Sequence, residues 1–265
     1  MTSGIPIATE TNSQLAKPAR DARRKGRLSR REQLSPSLPS PATRAPENNH
    51  PPLDDYYNAL FTAFGPQQWW PAKTSFEVIV GAILTQNTAW TNVEKAIANL
   101  RAAGLLSPVG IEKAPLRRLE ALVCSSGYYR QKARKLKAFC KFLRVEYRGS
   151  LQRMFRAPTP ALREKLLSVF GIGPETADSI LLYAGGHGVF VVDTYTKRLL
   201  VRHGWAGERT KYDEMRWMFE RQFPGNAQRF NEFHALIVTT GKRFCHTQQP
   251  LCGQCPLGRY LEEGR

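Results

Sequence analysis

From Leu53 onward, apolar and polar residues alternate with the period of a helix. Tyr56, Leu60 and Phe64 recur four apart, and residues 76–84 are so nearly all apolar that they predict a fully buried helix. Ala133, Leu136, Cys140 and Leu143 make one stripe, with Lys132, Lys135, Lys137 and Lys141 largely off it. Further helices are expected over 91–103, 115–124, 160–169, 175–185, 194–203, 210–222 and 226–240. Strand signals are confined to short pieces such as 189–192. There is no strand–helix–strand alternation and no internal repeat, so the expected fold class is all-α.

Residues 1–52 break this pattern. They are rich in Ser, Pro, Thr and Arg, hold almost no large apolar residues, and set nine basic against four acidic side chains. We read them as a disordered basic tail, whose role is open between an electrostatic arm and an extension with no specific role. An organelle transit peptide is the weaker alternative, because the tail carries acidic residues and lacks an apolar face. The whole chain of 265 residues carries a formal charge of +17, most of it outside the tail, which points to a polyanionic partner. No apolar run is long enough to span a bilayer. The expected setting is intracellular and without a membrane, and the protein is expected to be a monomer. Five cysteines, three of them near the C-terminus, speak for a reducing compartment and a metal site over a disulfide framework.

The most informative stretch is 166–198, LLSVFGIGPETADSILLYAGGHGVFVVDTYTKR. Gly171-Ile172-Gly173 joins two helical patterns and lets the backbone come close to something charged. Pro174 suits the first position of the next helix. Backbone amides of such a turn and helix start suit a phosphate oxygen. About twenty residues later, Asp193 stands at the start of another helix, where a plain N-cap is the simplest reading. Together these residues resemble the helix-hairpin-helix and Gly/Pro–Asp element of the endonuclease III superfamily of DNA glycosylases. The resemblance runs from about Asp54 to about Pro256.

That resemblance implies a topology. Residues 74–188 would form a six-helix barrel domain carrying the hairpin, and residues 53–73 would join 189–265 in a second helical domain, with the hairpin and Asp193 facing the cleft between them. It also implies roles. Asp193 would be the catalytic carboxylate that stabilises positive charge on the sugar as the base departs. Gly171, Ile172, Gly173 and Thr176 would hold DNA. Glu175 occupies the position where lyase members carry a Schiff-base lysine; a carboxylate cannot form that imine, so β-lyase activity is expected to be absent. Its plainer role is to complement the helix dipole.

The run from Trp69 to Thr88 is similar to the 3-methyladenine DNA glycosylase branch. Trp69, Trp70, Pro71 and Trp90, with Lys242, would line a base pocket, since electron-poor alkylated purines stack well on aromatic faces. Adjacent tryptophans are otherwise more often core. Gln86 and Asn87 fall where a polar side chain fills the space left by an extruded base. The basic helix with Lys132 and Lys135, and Lys197 with Arg198, are candidates for phosphate contact.

Cys245, Cys252 and Cys255 match three of the four thiolates of the superfamily's [4Fe–4S] loop, and the fourth position is Leu261. The implied cofactor is a cluster with an incomplete ligand set; a zinc site using His246 or Glu262 and Glu263, or no metal, are the alternatives. Cys124 and Cys140 are expected in the core. The expected function is a monofunctional glycosylase of base-excision repair acting on duplex DNA with alkylated purines. An endonuclease III-type glycosylase and lyase for oxidised pyrimidines is the second reading, and a non-catalytic DNA-binding protein the third.

Overall fold

The computed structural model describes residues 50–67, 69, 70 and 72–261, and every element among them is helical or irregular. Most of the basic tail, together with Pro71, Glu262 and Glu263, lies outside the described residues. The tail's expected end is not free, however: Pro51 is buried, and its carbonyl accepts from Gln222 Nε2 at 2.8 Å.

Helices α1 (Leu53–Phe64), α2 (Ser75–Leu84) and α3 (Trp90–Ala102) come first. The short α4 (Pro108–Lys113) and α5 (Leu116–Leu122) lead into the long α6 (Tyr129–Tyr147). Next come α7 (Leu151–Met154), α8 (Thr159–Leu167) and α9 (Pro174–Ser179), which runs on as a π turn over Ile180–Ala184. Last are α10 (Thr194–Arg202), α11 (Tyr212–Gln222) and α12 (Ala227–Arg243).

The buried helix predicted from the apolar run is α2, capped by Thr74, whose side chain accepts from the Glu77 amide. It packs against α3, α6, α9 and the π turn. Along α6 the expected stripe is inward: Ala133, Leu136, Cys140 and Leu143 are all buried. Helix α12 lies against α1, α10 and the π turn, and so meets elements from both halves of the sequence. Four phenylalanines, Phe190, Phe219, Phe230 and Phe233, fill the space between α11 and α12, with Phe190 stacked on Phe219 at 3.7 Å.

Some expectations are corrected. Residues 189–192 are buried but form no strand. Phe190 N donates to Glu220 Oε1 and Val192 N to Tyr212 Oη, while Val189 N donates to the His187 carbonyl. Cys124 is exposed, because it opens a 3-10 turn at the end of α5. The short α4 and α7 escaped the periodicity reading, since fewer than two turns carry no detectable period.

Candidate active site

The hairpin is α8, the turn through Gly171-Ile172-Gly173, and α9. Arg163 of α8 ties it together with two bonds to the fully buried Asp178 of α9, at 2.6 and 3.1 Å. Gly171 adopts φ +80°, which favours glycine, and a Cβ there would press into the Lys135 side chain. Gly173 differs: its φ is ordinary, and a Cβ would meet nothing within 4 Å. Nothing inside the protein requires glycine at that position. Ile172 is buried and anchors the turn to the core.

Gln86 is already engaged with this hairpin. Its Nε2 donates to the Gly171 carbonyl at 3.1 Å and to Thr176 Oγ1 at 2.9 Å, and its Oε1 accepts from Lys135 Nζ at 2.5 Å. One network thus joins the α2 C-terminus, α6 and the hairpin. Asn87 beside it has φ 52°, and Tyr128, at the start of α6, has φ 46° and is 71% exposed. Both are non-glycine residues in the left-handed region, on neighbouring turns linked by the bond from Thr88 Oγ1 to the Ser126 carbonyl.

Lys132 corrects a phosphate-contact expectation. It is 2% exposed, and its amine donates to Leu84 O, Thr88 Oγ1 and Ser126 O. It closes the orphan carbonyl end of α2 and two turns, so its charge does not reach the surface. Burial, with help from the Lys135 charge, lowers its pKa to about 8. Lys197 is bonded to the Glu208 carbonyl and stays at the surface.

Trp70 sits at the middle of an aromatic group. Its ring centroid lies 5.0 Å from Trp90 edge-to-face, 5.2 Å from Tyr183 and 6.0 Å from Trp69. Lys242 Nζ stands 5.8 Å from the Trp69 ring centroid. Trp70 and Trp90 pack on the core. They can do so because Gly81 of α2 lies beneath them: a Cβ there would come within 3.0 Å of Trp70 and 3.4 Å of Trp90. The indole nitrogens of Trp69 and Trp70 are buried without a partner.

Asp193 caps α10, its Oδ1 accepting from the Thr196 amide at 2.8 Å. Its other oxygen faces His234 Nε2 at 3.5 Å, and the side chain is 14% exposed. On the far side of the imidazole, Nδ1 lies 2.5 Å from the Tyr183 hydroxyl. A continuous path of side chains therefore runs from Trp70 through Tyr183 and His234 to Asp193. Burial opposes ionisation of Asp193, but His234 and the cap bonds outweigh it and hold the carboxyl below its usual range. Glu175 remains accessible to solvent, yet enough protein surrounds its carboxyl that desolvation, reinforced by the Asp193 charge, pushes its pKa up. The two nearby carboxyls thus have opposite tendencies, Asp193 toward its ionised form and Glu175 away from it.

The HhH-GPD superfamily base excision DNA repair protein pattern matches residues 80–224. A protein of Methanocaldococcus jannaschii named as a DNA repair glycosylase, MJ1434, is 45% identical over 216 residues, covering 81% of this chain and 97% of its own. The chain belongs to the HhH-GPD superfamily. It is a DNA repair glycosylase. The endonuclease III of Thermotoga maritima is 30% identical over 71% of this chain and 82% of its own. Among solved structures, the H. pylori 3-methyladenine DNA glycosylase bound to 1,N6-ethenoadenine aligns with TM-score 0.63 and 30% identity, over 72% of this chain and 97% of that one. A trapped endonuclease III–DNA covalent intermediate aligns with TM-score 0.67 at 24% identity, covering 78% of this chain and 93% of that one, a likeness of fold. The all-helical architecture of this HhH-GPD chain agrees with both. No helix among its described residues is long and apolar enough to cross a membrane.

The iron–sulfur loop fits its expected group only in part. Cys245, Cys252, Cys255 and Leu261 all line one pocket beneath α10 and α12. Arg202 donates to Cys245 Sγ at 2.9 Å, and Arg198 to the Cys245 carbonyl. Three sulfurs and a nearby cation suit a thiolate cluster, but Leu261 presents no donor where a cubane needs its fourth ligand. Among the described residues, no three His, Cys, Asp or Glu side chains gather closely enough for a single metal ion. His246 is not part of the pocket wall, and its carbonyl accepts from Arg202.

Sequence reasoning missed His234, Tyr183 and Gly81. Tyr183 and His234 lie in helical patterns that read as core. Only the π turn, a feature often found at functional sites, could have marked Tyr183, and it is not visible in sequence.

Proposed function

We propose that this glycosylase is monofunctional and excises alkylated purines of the 3-methyladenine type. The carrying observation is the path from the Trp70 cluster through Tyr183 and His234 to Asp193, with a carboxylate at Glu175 where a Schiff-base lysine would stand. The target nucleotide is turned out of the duplex. Its base is captured against Trp69, Trp70 and Trp90, under the Lys242 charge. An electron-poor purine gains from those π faces, and alkylation has already weakened its glycosidic bond. As the bond lengthens, the ionised Asp193 stabilises positive charge on the sugar, and water completes the hydrolysis. The 30% identity to a protein solved with an ethenoadenine supports an adenine-derived substrate.

Duplexes each carrying one defined lesion test this reading directly. The expected order is fast release from 3-methyladenine duplexes and slow or no release from oxidised pyrimidines, with no covalent adduct trapped by borohydride. Preferred release of an oxidised pyrimidine, together with a robust trapped adduct, would overturn it in favour of the lyase reading.

The hairpin, together with Lys135 and Lys197, holds the DNA backbone, and Gln86 with Asn87 enters the space left by the extruded base. Because a Cβ at Gly173 meets no protein atom, Gly173→Ala is expected to leave thermal stability within about 0.5 kcal/mol while weakening binding to undamaged duplex by about ten-fold. Binding titrations beside thermal melts check it; unchanged binding would detach Gly173 from phosphate recognition.

Three thiolates would hold three corners of an iron–sulfur cluster, leaving one iron with a weak ligand. Anaerobically purified protein is expected to be brown with substoichiometric iron and to bleach in air. Leu261→Cys should raise both iron content and Tm, because metal-binding energy becomes folding energy once the site is complete. Colourless, iron-free anaerobic protein would contradict this.

A further inference from the structure

We infer that His234 is a positioning residue that holds Asp193 ionised and fixes the direction of its free oxygen. The inference rests on Asp193 being the catalytic carboxylate.

The imidazole is 5% exposed and sits on α12, which packs against both the π turn and α10. Its two nitrogens face two different partners. Nδ1 is 2.5 Å from the Tyr183 hydroxyl, and Nε2 is 3.5 Å from Asp193 Oδ2 with no other hydrogen-bond partner. A buried ring nitrogen without a close partner is uncommon, and its cost is relieved when a charged group moves onto it. Burial, reinforced by the Asp193 and Glu175 charges, keeps the Tyr183 phenol protonated, so it can donate to Nδ1. That donation leaves the ring hydrogen on Nε2, aimed at Asp193. Catalytic hydrogen bonds of free enzymes are often long and tighten when substrate binds, so 3.5 Å is compatible with this role.

Asp193 has a use for such a partner. Its Oδ1 is committed to the α10 cap, and Oδ2 is the oxygen left to face the sugar. A carboxyl this enclosed would drift toward its neutral form without compensation, and neutral acid cannot stabilise a cationic sugar. The groups that face the imidazole are Asp193 from the α10 N-terminus, Glu175 from α9 and Tyr183 from the π turn, with the Phe190 ring packed beside them. Two are acidic, so the ring's N–H acts beside the Thr196 cap bonds to keep Asp193 charged. Because Tyr183 also touches Trp70, the same imidazole is braced against the aromatic cluster.

His234→Phe removes the N–H and keeps the bulk; His234→Gln restores an N–H donor. Single-turnover release of 3-methyladenine from methylated duplex should be followed from pH 5 to 9 for both, beside Asp193→Asn. Loss of a residue that orients a catalytic group lowers activity by about ten- to a hundred-fold, and that loss is expected for His234→Phe with DNA affinity unchanged. Without the N–H, Asp193 protonates at higher pH, so the acid limb of the rate profile moves upward. His234→Gln should recover most of both. Wild-type rate and acid limb in His234→Phe would overturn the inference, as would a slower rate with an unmoved limb. Should the Phe variant not fold, ¹⁵N-histidine NMR of the wild type decides: hydrogen on Nε2, shifted by Asp193→Asn, supports it, and a bare Nε2 overturns it. Full activity in Asp193→Asn would instead defeat the underlying reading of Asp193.

Discussion

Asp193→Asn is expected to abolish base release while leaving affinity for duplex DNA within a few-fold of wild type. Asparagine is as good an N-cap as aspartate and can still accept the Thr196 amide, so α10 should keep its start. What disappears is the charge. Removing a single group that stabilises transition-state charge costs about a hundred- to a thousand-fold in rate, and a full carboxylate in so enclosed a place belongs at the upper end. Binding survives because the hairpin amides, Gln86 and the surface lysines are untouched. The check is single-turnover release of free base beside a binding titration. Activity within a few-fold of wild type would reduce Asp193 to a helix cap.

The second large effect concerns the tryptophans. Stacking is worth about 1–3 kcal/mol per base, so alanine at a tryptophan that contacts the base should lower excision of alkylated purines by about ten- to a hundred-fold. The three positions should not behave alike. Trp70 and Trp90 rest on the core above Gly81, and Trp70 also touches Tyr183, so their alanine variants should lose Tm as well as activity. Trp69 lies outside that contact set beneath Lys242, and Trp69→Ala should lose activity with little change in Tm. Measuring excision, affinity for undamaged duplex and Tm on the same preparations separates these effects. Three variants that melt early but cut normally once folded would make the tryptophans core and remove the basis for the alkylated-purine substrate.

Much of this was legible in the sequence because its signals were periodic or punctuated. The apolar run that became α2, the stripe of α6 and the Gly-Ile-Gly-Pro turn each name their own structure. Asp193 was legible as both cap and candidate carboxylate, and the cap geometry is as expected. His234 was not. It lies within the apolar pattern of α12, 41 residues after Asp193, and only packing of α12 on α10 brings the two together. Lys132 misled for the opposite reason: placed off the apolar stripe, it read as solvent-facing, yet three oxygens from neighbouring turns draw its amine inward. The run 189–192 reads as a strand because it is short, apolar and valine-rich. Whether a partner strand exists is a tertiary fact, and here side chains of α11 and its first turn take that place.

One reaction tests the central claim most directly. Purified protein is incubated with methylated duplex DNA, and each sample is divided for chromatography of free base and for strand analysis before and after alkali. The account predicts that 3-methyladenine appears in solution while the strands stay intact until alkali is added. Absence of released methylated base, or strand breaks that accumulate in step with release before alkali, would contradict it.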